Sequence, residues 1–342
     1  MAVPADSAFL QACRRRPTPH TPVWFQRQAG RSLPEYRALR GEGSILDAVV
    51  KSDLAVELTL QPVRRYGVDA AILFSDIVVP VAAIGFGVDV VPGVGPVVEK
   101  PFRSHDDLGR LRPLEPSEDV PYVLDTVRSL AAELDVPLIG LAGAPFTVAS
   151  YLIEGGPSRT YARTKALMHG DPVTWQALLT TLADMAVAFL RAQVEAGADA
   201  VQLFDSWAGA LSPDDYREHV LPATASVFAG LADLGVPRIY SGVGTGGLLA
   251  DMAAAGPDVL GLDWRVPIDV AWERAGPGMA VQGNLDPELC LSPWEAVATH
   301  ARRVLDRVGG RPGHVFNLGH GVLPDTDPAI LERLVELVHA HG

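Results

Sequence analysis

Cysteine is nearly absent from this chain of 342 residues, and Cys13 and Cys290 are the 2 it has. They fit no C-x-x-C spacing, which excludes a zinc ribbon or a dithiol redox pair and gives no ground for a disulfide. Positive charge is short as well. The 28 Lys and Arg stand against 41 Asp and Glu, a formal net charge of −13. That balance argues against nucleic acid and against an anionic membrane surface as partners. Lysine is scarcest. Lys51, Lys100 and Lys165 all lie away from the ends of apolar runs, which disfavours a Schiff-base mechanism. No apolar run approaches the roughly 18 residues that a membrane span needs, so none is expected. The N-terminal stretch has no apolar core of signal-peptide length, and a cytoplasmic location is the simplest expectation. H-E-x-x-H, H-x-C with a partner cysteine, and G-x-S-x-G are also missing. No metal site and no serine-hydrolase elbow is therefore expected.

What is present is apolar and rhythmic. Apolar residues make up 48% and charged residues 20%, enough for a large core. Short apolar runs bounded by Gly, Pro, Asp or Ser recur at 23–25, 70–74, 138–142, 200–204, 238–241, 259–263, 279–282 and 315–318. They are continuous rather than alternating, as in strands buried on both faces. Amphipathic stretches such as 175–195 and 327–339 lie between them. This rhythm predicts an α/β chain folded as a single-domain (β/α)8 TIM barrel spanning residues 1–342, with a doubly wound sheet as the alternative. Residues 92–121 are Pro- and charge-rich and read as an insertion within that domain.

In such barrels the chemistry sits at the carboxyl ends of the strands. The first run ends in Arg27-Gln28-Ala29-Gly30-Arg31. Two guanidinium forks on one loop read as a clamp for an anionic ligand, against the bland alternative of two solvated cations. The second run ends at Asp76. It is followed by Ile77-Val78-Val79-Pro80, which offers no helix to cap at once and so favours a functional carboxylate. Later ends carry Phe146 and Tyr151, Asp205 and Ser206, Asp263, Asn284 and Asp286, and lastly His320 between Gly319 and Gly321. Asp205, Asp263 and Asp286 read equally well as helix caps or structural groups. The glycines beside His320 let backbone approach a ligand closely. Gly242, Gly244 and Gly247 form a G-x-G-x-x-G after a strand, with Asp263 about 20 residues on, the dinucleotide fingerprint. Its place in the fifth unit of eight weighs against that reading.

Taken in order, PVWFQRQAGRSLPEYR, FSDIVVP, GAPFTVASYLIEGG, FDSWAG, SGVGTGG, GLDWRVP, VQGNLDP and FNLGHGVLP resemble the uroporphyrinogen decarboxylase family across residues 22–324. The resemblance implies a cofactor-free, metal-free barrel enzyme, a homodimer, that removes the carboxyl groups of the four acetate side chains of uroporphyrinogen III to give coproporphyrinogen III and CO2 in heme biosynthesis. It carries substrate contact onto Arg27, Gln28, Ala29, Gly30, Arg31, Asp76, Tyr151, Ser206 and His320. Asp76, Arg27 and Arg31 are the catalytic candidates. Gln26, Ser32 and Gly247 depart from the family's commonest pattern without removing a named contact. A methyltransferase on the same barrel, a dinucleotide-dependent oxidoreductase and a non-catalytic tetrapyrrole carrier are the rival expectations.

Overall fold

In the computed structural model, which describes residues 7–341, seven parallel strands pair in sequence order. They are β1 (Ala71–Ile72), β4 (Leu138–Gly143), β5 (Ala200–Asp205), β6 (Arg238–Gly242), β7 (Val259–Gly261), β8 (Ala280–Gln282) and β9 (His314–Val315). An antiparallel hairpin, β2 (Val88–Val91) with β3 (Gly95–Val98), stands apart from this sheet. All six residues of β4 are buried, as expected of a strand covered by side chains within and by helices outside.

The sheet curls, and the segment 22–24 lies between its two edges. Phe316 N donates to Pro22 O at 2.8 Å and Trp24 N to Phe316 O at 3.3 Å, while Asp69 N donates to Val23 O at 2.8 Å on the other side. The fold is thus TIM-barrel-like, as the sequence rhythm predicts, with a correction at its seam. The expected first strand, 23–25, makes a single parallel bridge from Val23 to Phe316. The reason is local: Phe25 N donates to the side-chain oxygen of Gln28 at 3.1 Å, so the chain turns before a second rung can form. The expected strand 70–74 shortens likewise, because the hydroxyl of Thr59 takes the Phe74 N–H at 3.0 Å. That leaves Leu141 on β4, registered with Gln202 of β5, without a partner on its β1 side. The amide of Gln193 replaces it, accepting from Leu141 N at 2.9 Å and donating to Leu141 O at 3.0 Å.

Gln193 sits on the 25-residue helix Pro172–Ala196. By length and composition this helix could cross a membrane, although no sequence run suggested one, and 56% of its apolar window is buried inside the protein. Its apolar face packs on β4 and on the helices Pro145–Glu154 and Leu221–Ala229. Residues 92–121 hold β3, the 3-10 helix His105–Arg110 and the short helix Pro116–Asp119. Inside the barrel a polar layer crosses the apolar core. Trp24 Nε1 donates to Gln282 Oε1 at 2.9 Å, and Gln282 Nε2 donates to Gln202 Oε1 at 3.2 Å. At the amino end, Asp69 accepts from His20 and His339 at 2.7 Å each and from Val23 N at 2.7 Å. This ties the first segment, β1 and the last helix together.

Candidate active site

The loop after the first segment is built to present Arg27. Gln28 is fully buried, its oxygen accepting from Phe25 N and its nitrogen donating to Ala70 O at 3.2 Å. Its side chain therefore holds the loop and does not face a ligand, which corrects the expectation of substrate contact through that group. Pinned in this way, Arg27 adopts φ +58°, a left-handed conformation that costs a non-glycine residue about 1–2 kcal/mol. A Cβ at Gly30 would stand 2.8 Å from Arg27 O, so the turn tolerates only glycine there. The exposed Arg27 side chain lies across Gly321, where any Cβ would collide with its stem. The second glycine beside His320 thus has a packing reason.

Neither Arg27 nor Arg31 closes an ion pair among the described residues, whereas Arg64, Arg65, Arg191, Arg217 and Arg238 all do. Arg31 stands at the rim, exposed, with its carbonyl accepting from Arg37 at 2.6 Å. Its charge is felt at Tyr36. Ala29 is partly buried against the core.

Asp76 follows β1, half-buried. A short helix, Val79–Ala83, begins sooner than the sequence suggested, and Asp76 Oδ1 accepts from Val78 N at 3.0 Å. The carboxylate therefore orders its own turn as well as facing the site. Burial pushes its pKa above the ordinary range, while the backbone N–H groups of Val78 and Ile77 and the charge of Arg27 pull it down. The phenol of Tyr151, on helix Pro145–Glu154, is pushed up by burial and then by Asp76, with Arg27 opposing. It therefore stays protonated at neutral pH. Its ring packs against Trp207 at a 44° tilt with centroids 3.9 Å apart, and Trp207 also meets Tyr161 at 4.8 Å.

His320 is lowered to about 4, first by burial and then by Arg27, so its ring is neutral at pH 7. Nδ1 accepts from Gly321 N at 2.6 Å, which leaves Nε2 carrying the hydrogen. Glu288 also registers at His320. Its neighbour Asp286 caps the 3-10 helix Pro287–Leu291 and is pushed up to about 6, by burial first and then by Glu288. Asp76, Arg27, Tyr151 and His320 thus share one electrostatic neighbourhood. Ser206 lies half-buried beyond β5, beside Trp207, whose N–H donates to Thr147 Oγ1 at 3.2 Å.

Two strand-end acids are structural. Asp205 is fully buried, accepting from Thr147 Oγ1 at 2.6 Å and from Tyr240 OH at 2.7 Å. Asp263 accepts from Arg265 N at 2.9 Å and from Gly244 N. That second bond removes the dinucleotide reading. The glycine-loop amide that would cradle a phosphate is already given to the acid that would hold a ribose. Sequence reasoning missed Trp207, which FDSWAG displays but whose ring partners, Tyr151 and Tyr161, come from a distant part of the chain. Gln26, already marked in the sequence as a departure from the family's commonest pattern, reaches across the barrel and donates to Ser241 Oγ at 3.1 Å.

The profile of the family described as uroporphyrinogen decarboxylase (URO-D) matches residues 4–341. The chain belongs to the uroporphyrinogen decarboxylase family. A uroporphyrinogen decarboxylase from Salinispora tropica is 62% identical over 337 residues, covering 98% of this chain and 91% of the relative. One from Streptomyces coelicolor is 62% identical over 335 residues, with 98% and 94% covered. A methyltransferase from Methanosarcina mazei superposes with a TM-score of 0.78 over 98% of both chains at 20% identity, a likeness of fold alone. Of the positions that depart from the family's commonest pattern, Gly247 faces open space and Ser32 is buried beneath the arginine loop.

Proposed function

We propose that this protein is a uroporphyrinogen decarboxylase, a carboxy-lyase that removes the acetate carboxyl groups of uroporphyrinogen III to give coproporphyrinogen III and CO2 in porphyrin biosynthesis. The observation that carries the reading is the pairing, at one barrel mouth, of an underbonded carboxylate with an arginine that has no ion-pair partner among the described residues. A reduced tetrapyrrole brings pyrrole N–H donors for the first and carboxylates for the second.

The chemistry follows from the substrate's own π system. Protonation of a pyrrole at a ring carbon makes an iminium-like cation. The bond between the acetate methylene and its carboxylate then breaks, CO2 leaves, and the electron pair flows into the ring. A proton added at the methylene carbon makes a methyl group, and loss of the proton first placed on the ring carbon restores the neutral pyrrole. The net change at each acetate is one proton taken up and one CO2 released. Asp76 faces the ring as a fixed anion, and a cation arriving beside a carboxylate held above its ordinary pKa stabilises the ionised form. Preorganised charge of this kind is among the largest catalytic terms. Arg27 and Arg31 grip substrate carboxylates through their donor forks. Tyr151, Ser206 and the Nε2–H of His320 supply neutral donors to the peripheral acids. The reading needs no metal or organic cofactor, and we extend it to a single (β/α)8 domain acting as a cytoplasmic homodimer.

The test is anaerobic incubation of chelator-dialysed protein with uroporphyrinogen III, followed by chromatography of the oxidised products. Stepwise appearance of species with seven to four carboxyl groups is expected. Binding without CO2 release would leave a carrier, and activity lost on chelation and restored by zinc would overturn the cofactor-free reading. Sedimentation velocity checks the dimer.

A further inference from the structure

Among the described residues, two clusters of histidine and aspartate lie outside the mouth, and their geometries differ. In the first, both imidazoles of His20 and His339 already sit 2.7 Å from oxygens of Asp69. Those are hydrogen-bond distances, and the carboxylate is saturated by its neighbours. In the second, His169 Nε2 stands 3.6 Å from Asp215 Oδ1, beyond hydrogen-bond range. A ring nitrogen of His219 completes the group, with the three ligand atoms within 4.8 Å of one another. Two ligands bound at about 2.1 Å to a tetrahedral ion stand about 3.4 Å apart. The edge between His169 and Asp215 is therefore already at coordination spacing.

The backbone beneath these side chains is fixed from several directions. Asp215 and His219 lie one turn apart on helix Pro213–His219, capped by the Ser212 hydroxyl at Asp215 N, 3.1 Å. The carbonyl of His219 accepts from Trp175 Nε1 at 2.9 Å, and Trp175 is buried. His169 ends helix Ala162–Gly170 beside the fully buried Met168. Lys165 on the same helix donates to Ala210 O at 2.6 Å, holding that helix to the segment that leads into Asp215. The imidazoles of His169 and His219 meet edge-on at 5.3 Å. Charge also favours a cation. Glu218 lies 3.9 Å from His219, and the nearby Arg217 is neutralised by Asp214 and Asp251.

We propose that His169, Asp215 and His219 form a site for a divalent transition-metal ion of the zinc class. Three side chains bind it and the fourth position is left to water, since His169 is 52% exposed. Imidazole and carboxylate are the donors such ions take. The ion would clamp the two helices that flank the segment carrying Ser206 and Trp207. The site does not rest on the decarboxylase reading, which uses no metal.

The experiment titrates Zn2+ into the full chain, previously dialysed against EDTA and then metal-free buffer, with calorimetry as readout and Co2+ as a spectroscopic probe. One ion per chain at micromolar or tighter dissociation constant is expected, with a tetrahedral Co2+ visible spectrum. At a hundredfold excess over that constant, the melting temperature should rise by about 4 °C. His169→Ala and Asp215→Ala should each weaken binding by about tenfold or more. His169 and Asp215 are surface side chains, so circular dichroism should show both variants folded. His339→Ala should leave binding unchanged. The proposal is overturned by absence of binding to the full chain. Undiminished affinity in folded His169→Ala, or a loss that follows His339→Ala instead, overturns it equally.

Discussion

Two aspartates bracket the same short strand and live in opposite environments. Asp69 precedes β1 at the closed end of the barrel and accepts three hydrogen bonds, from His20, His339 and Val23 N. Despite burial, those partners hold its pKa below the ordinary carboxylate range. Asp76 follows β1 at the open end, meets only the backbone N–H groups of its neighbours Val78 and Ile77, and is held above that range by burial. A carboxylate whose lone pairs are filled by protein stabilises the fold. One left underbonded and desolvated costs stability until something cationic arrives, and it is the one to which the proposed mechanism assigns the chemistry. The arginines repeat the contrast. Arg65 is spent on Glu35 and Glu332, whereas Arg27 is held in a left-handed backbone conformation with no carboxylate of the described residues in its fork.

The sharpest way to break this comparison is to neutralise each aspartate in turn. Asp76→Asn keeps the acceptor for Val78 N and removes the charge. It should lower kcat by about 10²–10³, the scale of losing one preorganised electrostatic group, and leave the melting temperature unchanged or slightly higher. A folded Asn variant with near-normal kcat would sink the charge-stabilisation mechanism. Asp76→Glu should fall between, because preorganised sites punish small displacements.

Arg27→Lys comes next. An ammonium on the same loop cannot reproduce the two-pronged grip, and kcat/KM should fall by about 10–100-fold. Wild-type kinetics in this variant would remove the bidentate role. Arg31→Ala, at an exposed rim position, should leave circular dichroism unchanged while raising KM for the acidic substrate.

For His320 the neutral ring predicts an absence of titration. Because its pKa is lowered to about 4, the activity profile should show no limb near pH 6.5 that is lost in His320→Gln. The variant should raise KM by roughly tenfold, the value of one neutral donor. The acid limb of wild-type kcat/KM should lie above the ordinary carboxylate value of about 3.9, because the Asp76 pKa is raised.

The smallest effect belongs to Asp69. Asp69→Asn should cost about 1–3 kcal/mol of stability, read as a fall of about 2–4 °C in melting temperature, with kcat unchanged. Its folded pKa lies below the unfolded value. The stability it contributes is therefore full above about pH 3.9 and is lost as pH falls through the folded value. Asp76 runs in the opposite sense, its ionisation costing stability at neutral pH. Acid unfolding of Asp69→Asn should accordingly show a weaker pH dependence near pH 4 than the parent. A parallel shift of the two curves would show that Asp69 is not the linked group.

Much of the barrel was legible because strands buried on both faces write themselves as unbroken apolar runs, and the run at 138–142 became the fully buried β4. The seam was not legible. Whether Val23-Trp24-Phe25 pairs as a strand depends on Gln28 turning back to take the Phe25 N–H, a contact that no apolar count reveals. At the site, Asp76, Arg27, Tyr151 and His320 came from strand ends and motif order, and the fold brings these four into one neighbourhood. Gln28 was read as a contact because it sits inside the arginine motif. Burial assigned it to the scaffold instead.

The sequence by itself determined the period of the fold, the family and the ends of strands at which ionisable groups would stand. These are properties of local spacing, and spacing survives without coordinates. Only the tertiary structure decided which of those groups remain unsatisfied. Asp205, Asp263 and Asp76 are alike on paper, each at the end of an apolar run. Tyr240 and Thr147 fill the first, Gly244 and Arg265 the second, while the third has only the backbone N–H groups of its neighbours Val78 and Ile77 and the charge of Arg27. The difference lies in Thr147, Tyr240 and Gly244, partners brought in from other parts of the chain. A carboxylate's pKa and reactivity are set by the donors and dielectric that surround it in space, not by its neighbours in sequence.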